Sequence, residues 1–272
     1  MAAAVVGFVG LGAMGGGMAS NMAARFGAGA LASHRALLHD IRPGVAAALA
    51  ARHPQTASVA TSLQQLARES DIVLFSLPHG QAVQSCVAAI VDHLREGSLV
   101  VDTSTTGPEV ARAAAAALAA RGVCFLDAPV TGAPARAAAG TLTVMAGGDE
   151  ARLVEVRPVL GTFAERVVHM GAVGNGQIAK AMNNCLYNVG CAAMAEMLPL
   201  AKRAGLPLDA FSEVVSTGTG QSFAFNQWAP HVLRREFEAP KFGYPMGEAF
   251  KDLETLGAVA DELGVELPPV VA

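Results

Sequence analysis

Three closely spaced glycines follow a strand-like run near the start of the chain. Residues 5–15 read Val-Val-Gly-Phe-Val-Gly-Leu-Gly-Ala-Met-Gly, and apolar residues then recur at helical spacing. In a GxGxxG turn between a strand and a helix, the first glycine permits a tight turn and the second lets backbone approach a pyrophosphate, while the third allows close helix packing. A plain glycine-rich turn and another kind of nucleotide-binding turn are the alternatives. The pattern predicts a dinucleotide-binding turn formed by Gly10, Leu11, Gly12, Ala13, Met14 and Gly15.

The first 170 residues alternate between short β-rich apolar runs and alanine-rich helical segments. Such alternation is typical of βαβ units, which build a parallel sheet. Pro108 and Gly122 bracket the clearest helix, because proline favours the first helical position and glycine the position after the last. The predicted strands are residues 5–9, 36–39, 72–77, 99–102, 123–126, 141–146 and 167–170, and a further helix is predicted to begin near Asp149.

The pattern changes after Gly171, where strand-like runs disappear and long helical segments follow. Asn175 and Gly176 are a plausible helix start, and the helical pattern continues from there for about thirty residues. We therefore expect an α/β Rossmann-type dinucleotide-binding domain over residues 1–170. An all-α domain over residues 171–272 is expected to follow it.

Composition excludes several classes of partner. Hydrophobic residues make up 52% of the 272 residues and charged residues 15%, which favours a large folded core over disorder. The net charge of −4 and the lack of a basic block argue against nucleic acid and anionic membrane as partners. The longest apolar stretch, residues 178–204, is interrupted by polar and charged residues, so we predict a buried helix rather than a membrane span.

The four cysteines show no CxxC spacing, so we expect reduced thiols and no metal site. The start of the chain has no basic segment ahead of an apolar one, which argues against a signal peptide. A cytoplasmic protein is the expectation, and organellar import stays open.

Asp40 follows the second predicted strand, where a carboxylate accepts hydrogen bonds from the adenosine ribose of NAD and repels the 2′-phosphate of NADP. Two observations favour the alternatives. Asp40 comes 28 residues after Gly12, against a usual spacing of roughly 20, and Arg42 stands close enough to hold a phosphate. The sequence favours NAD and leaves NADP open, and Asp40 as a plain loop cap is the other interpretation.

Four ordered segments cover nearly the whole chain and together resemble the β-hydroxyacid dehydrogenase family, which includes 3-hydroxyisobutyrate dehydrogenases. They are residues 7–15 with Met18, Ala19 and Asn21; Asp127-Ala-Pro-Val-Thr-Gly132 with residues 140–148; Gly174-Asn-Gly-Gln-Ile-Ala-Lys180 with Asn183 and Asn184; and Lys251-Asp252-Leu253. Lys180 and Asn184 are four residues apart and Tyr187 continues their stripe, so they share one face of a helix.

The resemblance implies that Lys180 is the general acid/base and that Asn184 orients the substrate. Partial burial makes an ammonium group a better proton donor, and its charge stabilises a developing alkoxide. Without the resemblance, Lys180 and Lys251 would pass as surface lysines, and Thr131 with Gly132 as a β-turn. The resemblance assigns the substrate to Thr131, Gly132 and Asn183, and the coenzyme to Leu77, Pro78, Thr105 and Lys251 besides the glycine-rich turn and Asp40. Either Tyr244 or Phe242 is expected to line the mouth of the substrate pocket.

The sequence departs from the family pattern in two places. Ala133 stands where the family has a glycine, and Pro134-Ala135-Arg136 replaces a smaller continuation. A side chain at position 133 narrows the predicted substrate pocket, and Arg136 brings a cation to it. The chain also ends earlier than the family pattern, so we expect a shortened helical domain.

The expected activity is NAD(P)-dependent, reversible hydride transfer on a short β-hydroxy carboxylate or its semialdehyde. Alternatives within the family are glyoxylate/succinic semialdehyde reductase, tartronate semialdehyde reductase and a threonate-type dehydrogenase. An imine reductase is expected to lack the lysine at position 180. A silent dinucleotide-binding scaffold is expected to have lost that lysine and gained a basic segment, and the sequence shows neither mark. A homodimer or homotetramer is expected.

Overall fold

The structure, a computed structural model, describes residues 4–236 and 246–267, apart from the side chains of residues 246–249 and 251. The chain divides into two compact units, Met1–Lys180 and Ala181–Ala272. The division falls inside a single long helix, so the two units share one continuous element.

The described part of the first unit holds a six-stranded parallel sheet with the strand order β3-β2-β1-β4-β5-β6. The order reverses beside β1, which places the topological switch point between β1 and β4. Ligands of open parallel sheets bind at such a point, at the carboxyl ends of the strands. The strands are β1 (Val5–Val9), β2 (Arg35–His39), β3 (Ala57–Val59), β4 (Ile72–Phe75), β5 (Leu99–Asp102) and β6 (Cys124–Asp127).

Apolar side chains cover both faces of this sheet. Val6, Phe8 and Leu74 belong to one buried cluster, whereas Val73 and Phe75 belong to the other. Neighbouring residues of a strand point to opposite faces, so a strand buried on both sides needs a continuous apolar run. The helices of this unit are α1 (Gly15–Arg25), α2 (Val45–Arg52), α3 (Leu63–Glu69), α4 (Gly80–Ile90), α5 (Pro108–Ala119), α6 (Ala133–Ala139) and α7 (Glu150–Leu160), with a 3₁₀ turn at Gly29–Leu31.

A three-stranded sheet follows the parallel one in the same unit. It has the order β7 (Val130–Thr131), β8 (Leu142–Ala146) and β9 (Ala164–His169), with β7 antiparallel to β8 and β9 parallel to it. A bridge between Asp127 and Gly147 joins the end of β6 to the end of β8. The carboxyl ends of β6 and β8 are therefore neighbours, and the chain after β7 runs from there toward the start of β8.

The second unit is helical throughout its described residues. It contains most of α8 (Asn175–Arg203), a helix of 29 residues, followed by α9 (Leu208–Thr217), α10 (Phe223–Leu233) and α11 (Met246–Leu263). Two small apolar clusters hold it together, one around Met194 and Phe225 and the other around Cys185 and Leu256. In the described ranges, no helix combines the length and the apolar character that crossing a bilayer requires.

The Rossmann-type sheet followed by helices confirms the predicted fold class. The strands at residues 5–9 and 99–102 have the predicted bounds, and the long helix begins at Asn175 as predicted. Four short elements were not predicted: β3, β7, α6 and the 3₁₀ turn at Gly29–Leu31. Each has too few residues to display a period, and α6 begins beside a proline that favours a loop interpretation.

Candidate functional site

The glycine-rich turn joins β1 to α1 at the switch point of the sheet. Gly10 has φ +91°, and a Cβ atom there would lie 2.2 Å from the Ser76 carbonyl oxygen. A Cβ atom at Gly15 would lie 2.0 Å from the Gly10 carbonyl oxygen. Around Gly12, by contrast, no heavy atom lies within 4 Å of the position a Cβ would take. The turn is thus packed against the protein on two sides and open at its centre, which fits the close approach of a pyrophosphate.

The remaining residues of the turn differ in exposure. Leu11 is buried, Ala13 is exposed, and Met14 precedes α1 and packs against the core. Exposed backbone at residues 12 and 13 is what a phosphate needs at the start of a helix.

Asp40 follows β2 and ties its end to the glycine-rich turn. Its Oδ2 accepts a hydrogen bond from the Leu11 backbone N–H at 2.7 Å. Its Oδ1 accepts from the Arg42 backbone N–H at 2.8 Å, and the Arg42 guanidinium contacts both carboxylate oxygens at 3.0 and 3.1 Å. Burial opposes ionisation of this carboxyl, but the hydrogen bonds from Arg42 and Leu11 outweigh it and lower the pKa of Asp40 to about 2.

Arg42 also donates a hydrogen bond to the Leu11 carbonyl oxygen at 3.0 Å. The guanidinium therefore lies between Asp40 and the glycine-rich turn, while its side chain stays 55% exposed. An anionic group that binds next to the Asp40 carboxylate would therefore be close to the positively charged guanidinium of Arg42. Asp40 and Arg42 together fit the adenosine end of a dinucleotide, with one group suited to ribose hydroxyls and the other to a phosphate.

Two loops follow β4 and β5 on the same edge of the sheet. The backbone N–H of Leu77 donates to Ser104 Oγ at 2.8 Å, which connects the two loops. Leu77 and Thr105 are half-buried, and Pro78 is exposed. These predicted coenzyme residues therefore lie in loops next to the switch point, because β4 and β5 are neighbours in the sheet.

Two aspartates end the neighbouring strands β5 and β6, where Asp102 and Asp127 are register partners. Asp102 is fully buried; its Oδ1 accepts from the Ser104 backbone N–H at 2.9 Å, and its Oδ2 has no hydrogen-bond partner among the described residues. Burial raises the pKa of Asp102 to about 7 against the hydrogen bonds from Ser104, and the charge of Asp127 adds to the rise. Burial also raises the pKa of Asp127, although backbone N–H groups at the start of α8 oppose the shift.

The predicted substrate loop begins at the end of β7 and enters α6. Thr131 and Gly132 are half-buried, and Gly132 has φ +137°. Ala133 has φ +60°, a left-handed conformation that strains a residue with a Cβ atom. Arg136 is engaged by Glu165 at 3.5 Å on the exposed side of α6. The substitution of alanine for glycine at position 133 is thus accommodated with backbone strain.

Helix α1 and helix α6 are in close contact. A Cβ atom at Gly17 would lie 2.9 Å from the backbone of Ala137 and Ala138, so the contact depends on the missing side chain. Asn21 Nδ2 donates to the carbonyl oxygens of both alanines, at 3.0 and 2.9 Å. Helix α1, which begins at the glycine-rich turn, therefore holds the carboxyl end of α6, which begins at the predicted substrate loop.

Lys180 is half-buried in the second turn of α8, within the first unit. Asn184 lies one turn further along the same helix and is buried. Its Nδ2 donates to Asp252 Oδ2 in α11 at 2.8 Å, and its Oδ1 accepts from Asn183 Nδ2 at 3.1 Å. The amide of Asn184 is thus oriented by two side chains of the second unit.

Tyr187 is next on this stripe, and its hydroxyl oxygen accepts a hydrogen bond from Trp228 Nε1 of α10. Burial raises the pKa of Tyr187 to about 12. Phe242 and Tyr244 lie outside the described residues. Lys251 lies in α11, but its side chain is outside them too.

Three polar residues that support the predicted site were not singled out from the sequence. Asp252 bonds to Asn184, Gln177 bonds to the backbone on both sides of Thr105, and Asp127 bonds to the backbone at the start of α8. All three belong to segments that carry the family resemblance. Polar residues within otherwise buried segments were the available signal, since such groups are hydrogen-bonded in folded proteins.

Comparisons with known proteins agree with this architecture. Residues 5–171 match the family model described as the NAD binding domain of 6-phosphogluconate dehydrogenase, and residues 174–271 match that described as NAD-binding of NADP-dependent 3-hydroxyisobutyrate dehydrogenase. A probable 3-hydroxyisobutyrate dehydrogenase of Mycobacterium tuberculosis is 34% identical over 267 residues, which cover 98% of this chain and 85% of the relative. An NAD-dependent L-serine dehydrogenase of Pseudomonas aeruginosa is 36% identical over 234 residues, covering 84% and 75%.

A solved structure is similar over nearly the whole chain. The 3-hydroxyisobutyrate dehydrogenase of Mycobacterium tuberculosis with L-serine has a TM-score of 0.86 and 31% identity, over 98% of this chain and 90% of that one. The fold and these matches define an NAD(P)-dependent oxidoreductase that acts on a CH–OH group. The chain belongs to the β-hydroxyacid dehydrogenase family.

Proposed function

We propose that this enzyme interconverts a short β-hydroxy carboxylate and its semialdehyde, with Lys180 as the general acid/base. The observation that carries the proposal is the half-buried Lys180 one helical turn before the oriented amide of Asn184 on α8. The relatives are named for 3-hydroxyisobutyrate and L-serine, which both carry a hydroxyl group on the β-carbon of a carboxylate. That shared chemistry supports the substrate class.

A bound nicotinamide coenzyme accepts or supplies the hydride. In the oxidation direction, Lys180 Nζ takes the proton of the substrate hydroxyl; in the reduction direction, it returns that proton to the carbonyl oxygen. Its positive charge stabilises negative charge that develops on this oxygen. We assign one N–H of Asn184 to a hydrogen bond with the substrate, and Asn183 and Tyr244 to the substrate site. Thr131 and the backbone at Gly132 receive its carboxylate.

The chain's own residues hold the coenzyme at the edge of the parallel sheet. We assign the pyrophosphate to residues 10–15, the adenosine ribose to Asp40, and the nicotinamide half to Leu77, Pro78, Thr105 and Lys251. The ionised state of Asp40 supports NAD, and the neighbouring guanidinium of Arg42 supports use of NADP as well. Residues 1–170 are proposed as the coenzyme domain and residues 171–272 as the substrate and dimerisation domain.

The test is reduced-nicotinamide absorbance with NAD and NADP separately, against 3-hydroxyisobutyrate, L-serine, glycerate, threonate, 4-hydroxybutyrate and the corresponding semialdehydes. Lys180→Ala is expected to lower kcat by about 10²- to 10⁴-fold and to leave coenzyme affinity within about twofold. Lys202→Ala is the matched control, because Lys202 is an exposed lysine in the last turn of the same helix. Full turnover by Lys180→Ala would contradict the assignment. The reduction product of succinic semialdehyde is 4-hydroxybutyrate, which carries its hydroxyl group on the γ-carbon. Preference for this semialdehyde would instead favour a glyoxylate/succinic semialdehyde reductase.

We also propose a cytoplasmic homodimer or homotetramer. All four cysteines lie within the described residues and form no disulfide there, which suits a reducing compartment. Exposed apolar side chains on α8, among them Leu186 and Leu200, favour association of like chains. Light scattering of the purified enzyme and cell fractionation test the two statements, and a monomer at micromolar concentration would contradict the first.

A further inference from the structure

Gln177 lies in the first turn of α8 and is almost completely buried, with 2% of its surface exposed. Its Oε1 accepts a hydrogen bond from the Thr106 backbone N–H at 3.0 Å. Its Nε2 donates to the Ser104 carbonyl oxygen at 2.9 Å. The side chain therefore binds the backbone on both sides of Thr105, using one donor and one acceptor.

The start of α8 is itself held firmly in place. Asp127 accepts from the backbone N–H of Gly174 through Oδ1 at 2.7 Å and of Gln177 through Oδ2 at 3.0 Å. A Cβ atom at Gly176 would lie 2.4 Å from the Met145 carbonyl oxygen, so the first turn is packed tightly against the strand ends. The backbone that carries Gln177 is thus held in place. The two side-chain hydrogen bonds of Gln177 therefore restrain the loop after β5.

The same loop is connected to its neighbour, because Ser104 Oγ accepts from the backbone N–H of Leu77. Lys180 follows Gln177 by three residues, on the adjacent turn of the same helix. A single buried amide therefore connects the helix that carries the proposed proton donor with the loop that carries Thr105, which the proposed function assigns to the nicotinamide half of the coenzyme.

We propose that Gln177 is a positioning residue for hydride transfer: it sets the loop at Thr105 relative to Lys180 and touches neither substrate nor coenzyme. This inference rests on the proposed function, because it takes the roles of Lys180 and Thr105 from there. Misplacement of reacting groups by about 1 Å can lower a rate about a hundredfold without much change in binding. Loss of the two hydrogen bonds is therefore expected to affect kcat more than KM.

The test compares Gln177→Met, which keeps the side-chain length and removes both hydrogen bonds, with Gln177→Glu, which keeps an acceptor for Thr106. Asn175→Ala is the matched control, because the Asn175 amide donates to the Met170 carbonyl oxygen at the same helix start and leaves the β5 loop untouched. The first readout is hydrogen exchange of the Thr106 amide without coenzyme. Exchange is expected to accelerate about tenfold or more in Gln177→Met, to stay near the wild-type rate in Gln177→Glu, and to be unchanged in Asn175→Ala.

The second readout is kinetic. In Gln177→Met, kcat is expected to fall about 10- to 100-fold while substrate KM and coenzyme Kd stay within about twofold. The primary deuterium isotope effect on kcat is expected to rise toward its intrinsic value, because hydride transfer becomes fully rate-limiting. A purely structural role would lower stability and leave the isotope effect unchanged.

Several outcomes overturn the proposal. Unchanged exchange at Thr106 in Gln177→Met would remove the restraint, and unchanged kcat with accelerated exchange would show that the restraint does not position the reaction. If Gln177→Met fails to fold, Gln177→Glu decides, since it is expected to lose part of kcat through its missing bond to Ser104. Failure of the proposed function looks different: wild type shows no turnover, or Lys180→Ala retains it, while the exchange result at Thr106 is unaffected.

Discussion

Asp252 accepts a hydrogen bond from the side-chain amide of Asn184 at 2.8 Å, and both residues are more than nine-tenths buried. Asn183 donates to the oxygen of the same amide at 3.1 Å. One N–H of Asn184 and its oxygen are thus used within the protein. These two hydrogen bonds fix the direction of the second N–H, which the proposed function assigns to a substrate oxygen.

Asp252→Ala is expected to lower kcat/KM about 10- to 100-fold, because a hydrogen bond to a charged group contributes about 1.5–3 kcal/mol and its loss frees the Asn184 amide to rotate. Steady-state kinetics test this, with coenzyme Kd expected to stay within about twofold. Asp261→Asn, an exposed aspartate of the same helix, is the control. The double variant Asn184→Ala with Asp252→Ala is expected to be no slower than Asn184→Ala alone, and additive effects would contradict the coupling.

Arg42→Ala is expected to weaken NADP binding about tenfold or more and to leave NAD affinity equal or higher, because the variant loses a cation suited to the 2′-phosphate and frees the Asp40 carboxylate. Asp40→Ala is expected to weaken NAD and narrow the difference between the coenzymes. Titration calorimetry with each dinucleotide measures both, with Arg52→Ala as a control at the exposed end of α2. Equal weakening of NAD and NADP by Arg42→Ala would count against this division of roles.

Asp102 should make stability depend on pH. Its folded pKa of about 7 exceeds the ordinary value of 3.8, so the folded state holds the proton more tightly. The associated stability is fully present below pH 4 and is lost as pH rises toward 7. In Asp102→Asn the side chain is neutral at every pH, so the variant does not lose this stability. The free energy of unfolding of the variant minus that of wild type is therefore expected to rise by on the order of 1–4 kcal/mol between pH 4 and 8.

Urea unfolding at the two pH values measures this difference, and Asp92→Asn, whose side chain is 74% exposed, is the control. A difference between Asp102→Asn and wild type that does not change with pH would refute the shift.

Ala133→Gly is expected to raise the free energy of unfolding by about 1 kcal/mol, because glycine adopts the left-handed conformation at this position without strain. Ala135→Gly, two residues on in the same helix, is expected to lower it by about the same amount, because glycine is a poor former of ordinary helix. Chemical denaturation of both variants measures the pair of opposite signs. Destabilisation by both would contradict the strain at position 133.

The sheet could be predicted because short apolar runs alternate with helical segments over the first 170 residues, and the long helix because its apolar spacing is sustained. Residues 5–15 carry a strand, a turn and a helix start in one pattern, and the apolar spacing of α8 persists over 29 residues. Elements such as β7 and α6 depend on tertiary contacts instead. Strand β7 is paired with β8, and α6 is held by Gly17 and Asn21 of α1. The local sequence therefore contains no pattern that predicts either element.

The roles of Lys180 and Asn184 come from the family resemblance together with their spacing on one helix face, and that of Asp40 from its place after a strand; these assignments stay predictions. Gln177 and Asp252 act on groups 73 and 68 residues away in the chain. Hydrogen-bond partners so far apart in the chain are brought together by the fold. A glutamine or an aspartate at these positions does not by itself indicate which group it will bind. For Arg136 the sequence predicts a cation at the substrate pocket, whereas in the structure its guanidinium forms an ion pair with Glu165.

The contact of Gly17 with Ala137 and Ala138 has a consequence for changing what this enzyme accepts. The proposed function assigns the substrate carboxylate to the loop that begins at Thr131, so variants selected for a new substrate are expected to change residues 131–136. That loop leads into a helix whose far end is fixed to the coenzyme helix with no space for one extra carbon atom. New specificity is therefore more readily obtained by exchanging outward side chains of the loop than by lengthening it. An insertion in this loop is expected to displace α1 and the glycine-rich turn together with the proposed substrate site.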